Sequence, residues 1–227
     1  MTRDELLESF AVLYLRLNGY FTTGLIVHSD DAHAGNQSEV DVLAIRFPQH
    51  RQPDRLVPTD QCMRAPDNRI DVVIVEVKSG VGPLQFNRGL RESADAIAKV
   101  LRWVGLFDDR TIEDLVPKVQ TALAPNGGGG TQAPIEANGA QVRGVLFAPD
   151  RGVRRANQPL FVGGAQMMAY IRTCLSPPAP RPACVVRYDF GLWGQELEPI
   201  VRYFKGRQGG DVGGVDDLVR GVLGPGV

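Results

Sequence analysis

The chain has 227 residues, of which 43% are hydrophobic, and its formal net charge is −1. This length suits one domain with appendages, and a near-zero charge selects no class of partner. The three cysteines are widely spaced and the three histidines form no ligand motif, so neither a disulfide framework nor a zinc site is expected. No apolar run approaches the roughly 20 residues that span a bilayer, and the charged N-terminus lacks the apolar core of a signal peptide. We therefore expect a soluble cytoplasmic protein with no membrane contact.

The first part of the chain predicts one helix and three strands. Apolar residues recur at helical spacing over residues 4–17, and Gly19 ends that segment. Three segments rich in β-branched residues are typical of strands: YFTTGLIVHS (20–29), EVDVLAIRFP (39–48) and DVVIVEVKSG (71–80). Between the second and third strands, the proline-rich residues 48–69 predict a loop or insertion. Asp71 is interpreted as a charge at a strand boundary.

The middle of the chain predicts two helices and a loop. One helix is expected over residues 84–107, with apolar residues on one face: Leu90, Ala94, Ile97, Val100, Leu101 and Val104. A shorter helix is expected over residues 111–124. Residues 125–140 contain four consecutive glycines and predict a flexible loop. These glycines neither follow a strand nor open a helix, as those of a phosphate-binding loop must.

The last part predicts a buried strand over 141–149, a short extended piece over 159–164 and a helix over 164–175. Beyond it, a short strand (183–190) and two small helices (192–204 and 215–223) are expected. Three neighbouring strands imply antiparallel pairing, and a helical crossover returns to a fourth strand parallel to its neighbour. The sequence thus predicts an α/β fold, a mixed central β-sheet flanked by helices, with residues 1–175 as one domain and 176–227 as a C-terminal extension.

An acid and a base project from the third predicted strand. Glu76 and Lys78 are two residues apart and so point to the same face of the strand. An ion pair on an exposed edge strand is the simplest alternative, and such pairs contribute only about 0–1 kcal/mol. The aliphatic residues around Glu76 favour a central strand instead, where a charge is costly unless it is paired or binds something. Only four of the 25 basic residues are lysines, which singles out Lys78.

A second carboxylate joins this pair if the second and third strands are neighbours. Asp41 then lies beside Glu76, although Glu39 is on the same face and stays an alternative. Two carboxylates and the main-chain carbonyl of Val77 make an oxygen-rich site suited to Mg²⁺ or Mn²⁺. Lys78 would hold a phosphate and orient the attacking water, and the metal would polarise the phosphoryl group. The pattern predicts hydrolysis of a phosphodiester, with Asp41, Glu76 and Lys78 as catalytic residues.

The series Asp41…Glu76-Val77-Lys78, set between an N-terminal helix and a following helix–strand unit, resembles the PD-(D/E)XK nuclease superfamily. It looks closest to the Mrr-like prokaryotic restriction or antiviral defence nucleases. The resemblance covers residues 4–175 in element order but few residues in identity, and Val40 stands where the family has a proline. It implies the restriction-endonuclease-like αβββαβα core and a Mg²⁺- or Mn²⁺-dependent endonuclease acting on DNA. It also implies a metal ligand from the first helix, for which Glu8 is the first candidate and Glu5 the second. Cutting both strands of a duplex is easiest for a homodimer, so self-association is expected.

Charge is unevenly distributed along the chain. Between residues 141 and 187 there are seven arginines and one acid, Asp150. Such a basic segment beside an acidic metal site is suited to the nucleic-acid backbone, and we take Arg151, Arg154 and Arg155 as candidate nucleic-acid-binding residues. Two other functions stay open: a non-cleaving DNA-binding subunit of the same fold, and an effector that a partner protein of a defence system activates. Neither the strandedness nor the sequence preference of the nucleic acid follows from these residues.

Overall fold

The computed structural model describes residues 1–28, 36–51, 57–66, 68–80, 82–125, 134–152, 161–176, 189–207 and 213–225. Its helices are α1 (Arg3–Leu17), α2 (Arg88–Arg91), α3 (Ala94–Val104), α4 (Asp109–Leu123), α5 (Gly164–Leu175), α6 (Glu198–Lys205) and α7 (Val215–Leu223). Its strands are β1 (Phe21–His28), β2 (Asn36–Arg46), β3 (Ile70–Val77), β4 (Ile135–Ala137), β5 (Ala140–Ala148) and β6 (Val162–Gly163). Two short 3₁₀ turns lie at Gln61–Met63 and Phe190–Trp193.

The strands form one mixed sheet in the order β1-β2-β3-β5-β4, with β6 pairing with the end of β5. β1, β2 and β3 are antiparallel neighbours, and the α2–α4 crossover returns the chain to β5, which lies parallel to β3. Strand β3 is therefore central, and its residues 71–76 are all buried. Strand β1 lies at the edge, where Phe21 and Ile26 are exposed. The predicted α/β fold with a mixed sheet flanked by helices is confirmed.

Alternating residues of the sheet build two cores, one on each face. The first core joins Val73, Val75 and Phe147 to α1 and α5, and it also takes in apolar residues of α6 and α7. The second core joins Val72 and Ile74 to α3 and α4. This alternation follows from the period of two in a strand. Among the described helices, none has both the length and the apolar character that a membrane crossing needs.

The single helix predicted over 84–107 is wrong. Residues 84–87 precede the four-residue helix α2, and α3 then starts afresh at Ala94. Each helix has its own side-chain cap: at the start of α2 Asn87 accepts a hydrogen bond from the amide of Gly89 (2.8 Å), and at the start of α3 Ser93 accepts from that of Ala96 (3.1 Å). Such caps satisfy the amides that a helix start leaves unpaired. Because α3 has its own start, Ala94 is exposed and Ala96 is the buried residue.

The loop predicted over 125–140 is also partly wrong, because it contains β4 and the first residue of β5. The turn between these strands is Asn138–Gly139, and both residues have positive φ (48° and 76°). Asn-Gly between two strands is the strongest short hairpin signal, since two-residue turns of this kind need positive φ at both positions. The sequence therefore held this signal, and composition alone obscured it.

The other predicted elements agree with the structure in whole or in part, or include residues outside the described ranges. The helices predicted over 164–175 and 215–223 match α5 and α7 residue by residue. The helix predicted over 192–204 is a 3₁₀ turn followed by α6. Of the strand predicted over 183–190, residues 183–188 lie outside the described residues. In the described part of the 48–69 segment there is a 3₁₀ turn, whose Met63 is fully buried.

Asp71 is the centre of a buried polar network, and the interpretation of it as a boundary charge is wrong. Its side chain is 0% exposed and accepts hydrogen bonds from Arg143 Nη2 (2.8 Å), Gln141 Nε2 (2.7 Å) and the hydroxyl of Tyr20. Arg143 also donates to the carbonyl of Cys62 (3.1 Å). The network ties β1, β3, β5 and the 57–66 segment together at one end of the sheet. A buried charge is tolerated because it is paired and hydrogen-bonded.

Removing one partner of the Asp71–Arg143 ion pair should lower the stability of the protein. We expect Asp71→Ala to lower the free energy of unfolding by about 3–5 kcal/mol, because Arg143 is left buried without a counter-ion. Arg143→Met should cost much less in the Asp71→Ala background than in the wild type. Urea unfolding of the four proteins of this double-mutant cycle measures both effects. Additive losses would show that the two residues act independently.

A thiol is enclosed where the 57–66 segment meets α1 and α5. Cys62 lies 3.1 Å from the hydroxyl of Tyr14 and accepts from Gln166 Nε2 (3.0 Å). Asp60 accepts from the thiol of Cys62 (3.2 Å) and from its amide (3.1 Å). Burial raises the pKa of Cys62 to about 11, and the charge of Asp60 adds to this effect. Cys62 is therefore a thiol, not a thiolate, at neutral pH.

This pKa predicts slow alkylation of the folded protein. The rate at which iodoacetamide modifies Cys62 should rise with pH to a midpoint near 11, whereas urea-unfolded chain should show the ordinary thiol midpoint near 8.5. Peptide mapping by mass spectrometry measures Cys62 separately from the other cysteines. Because the folded pKa is the higher one, Cys62 should also make the protein less stable as pH rises from about 9 to 11. A folded-state midpoint below pH 9 would contradict the described environment.

Candidate active site

The register of β2 against β3 brings two carboxylates together. The paired register ends with Val42 opposite Val75, and Asp41 and Glu76 are the next residues of the two strands beyond that pair. Asp41 Oδ2 accepts a hydrogen bond from the amide of Val77 (2.7 Å). The alternative acid, Glu39, is exposed and pairs with Ile26 of β1. The acid that contacts β3 is therefore Asp41.

Glu76 and Lys78 form an ion pair at the end of β3. Their side chains are 4% and 30% exposed, so the carboxylate is buried and the ammonium reaches the surface. The second carboxylate oxygen of Glu76 accepts from the amide of Asn87 (3.0 Å). The amide of Lys78 donates to the carbonyl of Phe147 (2.8 Å), which extends the pairing of β3 with β5. The backbone thus holds both residues in place.

Close packing against β5 positions the amide that binds Glu76. A Cβ atom at Gly144 would lie 2.7 Å from the ring of Phe86 and 2.6 Å from Leu123, so only glycine allows this approach. Phe86 fills the space and is buried. The next residue, Asn87, directs its amide to Glu76 and its side chain to the first turn of α2. A glycine on one strand therefore sets the position of a carboxylate on its neighbour.

The two carboxylates share a desolvated environment. Burial raises the pKa of Glu76, as does the charge of Asp41, while Lys78 and the Asn87 amide lower it. Burial also raises the pKa of Asp41, against the opposing effects of the Val77 amide and Lys78. Like charges close together favour the neutral form, and a cation between them removes that penalty. The pair is thus electrostatically prepared for positive charge.

The acids of α1 differ in how they relate to this pair. Burial raises the pKa of Glu8 and the charge of Asp41 raises it further, so Glu8 lies near enough to interact, although its side chain is exposed. Glu5 belongs to a capping box instead: Glu5 Oε2 accepts from the amide of Thr2 (2.7 Å), and Thr2 Oγ1 accepts from that of Glu5 (3.2 Å). Of the two candidates on α1, Glu8 is the one beside the site.

The donors present are hard oxygens, the ligands that Mg²⁺ and Mn²⁺ prefer. Within the described part of the chain, no three His, Cys, Asp or Glu side chains converge closely enough to hold a metal ion. Asp41 and Glu76 are two carboxylates, and the carbonyl of Val77 is a third oxygen on the same strand. Mg²⁺ is commonly held by one or two carboxylates together with waters and substrate phosphates. The residues fit a cation of that kind.

The predicted basic segment is only partly available. Arg143 is buried against Asp71 and cannot contact a ligand. Arg151 is half-buried, and its Nη2 donates to the carbonyl of Gly82 in the loop after Lys78. Arg154 and Arg155 lie outside the described residues. Of the three arginines predicted to bind nucleic acid, the structure therefore places Arg151 close to the β3 end.

Sequence reasoning missed the groups that hold the loop after Lys78. Asp150 Oδ2 accepts from the amide of Gly80 (2.8 Å), and Asp150 Oδ1 from Arg3 Nη2 (2.7 Å). The signal was present in Asp150, the one acid among seven arginines, directly after a buried strand. The amide of Asn87 and the carbonyl of Phe147 gave no such signal, because every residue other than proline carries both groups.

No protein-family model matches this sequence, and neither curated proteins nor solved structures give a significant match. The geometry and chemistry of the site are therefore what indicate the function of this chain.

The ion pair at the end of β3 predicts a stability effect. Lys78→Met should lower the free energy of unfolding at neutral pH by about 1–3 kcal/mol, because Glu76 stays buried with its strongest partner removed. Adding Glu76→Gln should recover most of the loss. The loss should also shrink as pH falls, since an unpaired buried carboxylate has a raised pKa in the folded state and needs no counter-ion once protonated. Urea unfolding at pH 7 and pH 4.5 tests both statements, and a pH-independent loss would contradict them.

Proposed function

We propose that this protein is a Mg²⁺- or Mn²⁺-dependent endonuclease that hydrolyses phosphodiester bonds of DNA. The observation that carries the proposal is the convergence of Asp41 of β2, which binds the amide of Val77, with the Glu76–Lys78 ion pair at the end of β3. Two carboxylates and a lysine at a rigid strand end are what a phosphodiester anion requires. Cation, water and phosphate must be brought together, and strands hold such groups more tightly than loops.

Each residue has a defined task in this proposal. Asp41, Glu76 and the carbonyl of Val77 would hold the metal ion, which supplies an activated water and charge stabilisation at the phosphoryl oxygens. Asp41 is fixed by the Val77 amide, and Glu76 by that of Asn87, so neither carboxylate has to reorganise. Lys78 has a flexible stem, and its ammonium can exchange Glu76 for a phosphate oxygen and orient the water. Glu8 would bind a water of the metal's coordination shell from α1.

The element order supports assigning the restriction-endonuclease-like core to this chain. α1, β1, β2, β3, the α3–α4 crossover, β5 and α5 follow one another as helix, three strands, helix, strand and helix. The first three strands are antiparallel neighbours and the fourth lies parallel to β3, next to it. The β4 hairpin strand and helices α6 and α7 are additions to that core. This order supports the assignment together with the site, since a fold alone does not determine function.

A second candidate function is a subunit that cleaves only when a partner protein activates it, as in a defence system. The contact between Lys78 and Glu76 supports this second function, because the lysine and one of the two acids are already bound to each other. A partner that separates them would free both groups. A non-cleaving nucleic-acid-binding subunit would have no need of a pair so arranged.

A cleavage assay tests the proposed function. Supercoiled plasmid, linear duplex and single strands are incubated with the purified protein and Mg²⁺, Mn²⁺ or EDTA. We expect metal-dependent cleavage that Lys78→Ala, Asp41→Asn and Glu76→Gln each reduce by at least about 100-fold. Lys118→Ala removes an exposed lysine on α4 and should leave the rate unchanged.

The outcomes separate the candidate functions. Cleavage that survives all three site substitutions would mean that other residues perform the chemistry. Absence of cleavage by a folded protein that still binds DNA would favour the partner-activated subunit. In that case, Lys78→Ala should still abolish the activity once the partner is supplied.

A further inference from the structure

A cavity of about 1040 Å³ opens beside the candidate active site. It lies at the carboxyl ends of the parallel strands β3 and β5, where ligands bind in open α/β sheets. Its walls are the start of α1, the loops after β3 and β5, helix α5 and the start of α7. Ser79 and Gly80, which directly follow Lys78, form the wall next to the site. The cavity is large enough for a nucleotide.

Cationic side chains line this cavity, and two of them have unused donors. Arg3 Nη1 and Arg151 Nε are enclosed, with almost no accessible surface, and neither has a hydrogen-bond partner within the described part of the chain. Arg172 and Arg220 stand on the same walls. A buried guanidinium N–H without an acceptor is costly, so these two donors favour a ligand that brings anionic oxygens. Guanidinium groups match the oxygens of a phosphate especially well.

The cavity walls also carry four acids, Asp4, Asp150, Asp216 and Asp217, which balance the four arginines in formal charge. Asp216 accepts from Arg3 Nη2 (3.3 Å), and Asp150 and Asp217 are each held by two donors. Asp150 accepts from both Arg3 and the Gly80 amide, as described above. Asp217 accepts from Arg220 Nη2 (2.6 Å) and from the amide of Gly214 (2.9 Å). These carboxylates therefore orient donors more than they compete for a cation. The same walls carry Met168, Ala169 and Val215, an apolar surface against which a nucleoside can pack.

The cavity is connected to the active site through the backbone. Only Ser79 separates Lys78 from Gly80, so the two residues are at most about 7 Å apart along the extended chain. A strand whose scissile phosphate lies at Lys78 therefore reaches the cavity with its next nucleotide. Asp150 joins the two places, since it binds Arg3 of the cavity wall and the amide of Gly80.

From these observations we propose that the cavity binds the nucleotide adjoining the scissile bond, with its phosphate on the guanidinium groups of Arg3 and Arg151. The inference rests on the proposed function and deepens it, because it assigns a binding compartment to the substrate strand. The group that the cavity would recognise is a phosphate attached to a nucleoside, as in the DNA strand. A free mononucleotide has the same chemistry, and the experiment separates the two sources.

Binding without cleavage is the test. Fluorescence anisotropy in EDTA measures the affinity of labelled 12-nucleotide single-stranded DNA and of the corresponding 12-base-pair duplex. Ala169→Trp fills the cavity from an exposed position on α5 without changing charge, and Arg151→Ala removes one phosphate donor. We expect each to raise the Kd of the better-bound DNA by about tenfold. Arg151→Ala should also reduce the slope of log K against log salt by about one, and Ala169→Trp should not change it.

Matched variants control for unrelated effects. Ala94→Trp introduces the same side chain at an exposed position of α3, and Arg102→Ala removes an exposed arginine that pairs with Asp109. Both should bind DNA as the wild type does. Thermal unfolding checks that each variant is folded. If Arg151→Ala is not folded, the binding of DNA by Ala169→Trp alone tests the proposal.

Three results would overturn the proposal: unchanged DNA binding by Ala169→Trp, no DNA binding by the wild type at low salt, or tight binding of dAMP that the DNA does not displace. The last would assign the cavity to a free nucleotide. Failure of the cavity proposal can be distinguished from failure of the proposed endonuclease function. If the protein cleaves DNA and Ala169→Trp binds DNA as the wild type does, the endonuclease proposal stands and the cavity proposal fails. If the protein binds DNA through the cavity and never cleaves it, the cavity proposal stands and the endonuclease proposal fails.

Discussion

Strand β3 buries a carboxylate near each of its ends, and the desolvation of these two charges is the constraint on which the rest of the structure depends. Asp71 is 0% exposed and Glu76 is 3% exposed, on a strand covered by helices on both faces. Neither charge is tolerable without partners. The polar groups around the sheet are therefore arranged in two sets, one at each end of this strand.

The two sets solve the same problem with different cations. Asp71 meets the planar fork of Arg143, which is itself buried and also holds the 57–66 segment through a carbonyl. Glu76 meets Lys78, whose flexible stem and compact charge reach the surface. Arginine suits a permanent, geometrically fixed pair, whereas a lysine can change partners at little cost. One end of β3 thus anchors the sheet, and the other keeps an ion pair that a ligand can rearrange.

The sequence indicated the acids of the candidate site because they follow simple periodic rules. Glu76 and Lys78 are two residues apart along one strand, and antiparallel pairing of β2 with β3 brings Asp41 to the same end of β3, where it binds the Val77 amide. Helices α5 and α7 were predictable for the same reason, since their apolar spacing matches their faces. The turn Asn138–Gly139 was also readable, but the glycine-rich composition nearby favoured a loop.

What the sequence did not indicate depends on distant pairing. Arg143 is 72 residues from Asp71, and nothing local marks it as different from the other arginines of its segment. The amide of Asn87 reaches Glu76 only because Gly144 lets Phe86 approach β5. Such contacts join backbone groups and residues whose separation along the chain no periodicity encodes.

Arg3 has a consequence for the order of folding. Its guanidinium binds Asp150, 147 residues away, and Asp216, 213 residues away, so it closes two very long loops of the chain. Closing long loops costs chain entropy before any contact repays it, and contacts of high sequence separation form slowly. The acids on β2 and β3 can therefore come together while the chain is still short. The cavity beside them is complete only when the first and last helices meet, so a chain still emerging from the ribosome holds the acidic pair before it holds the compartment.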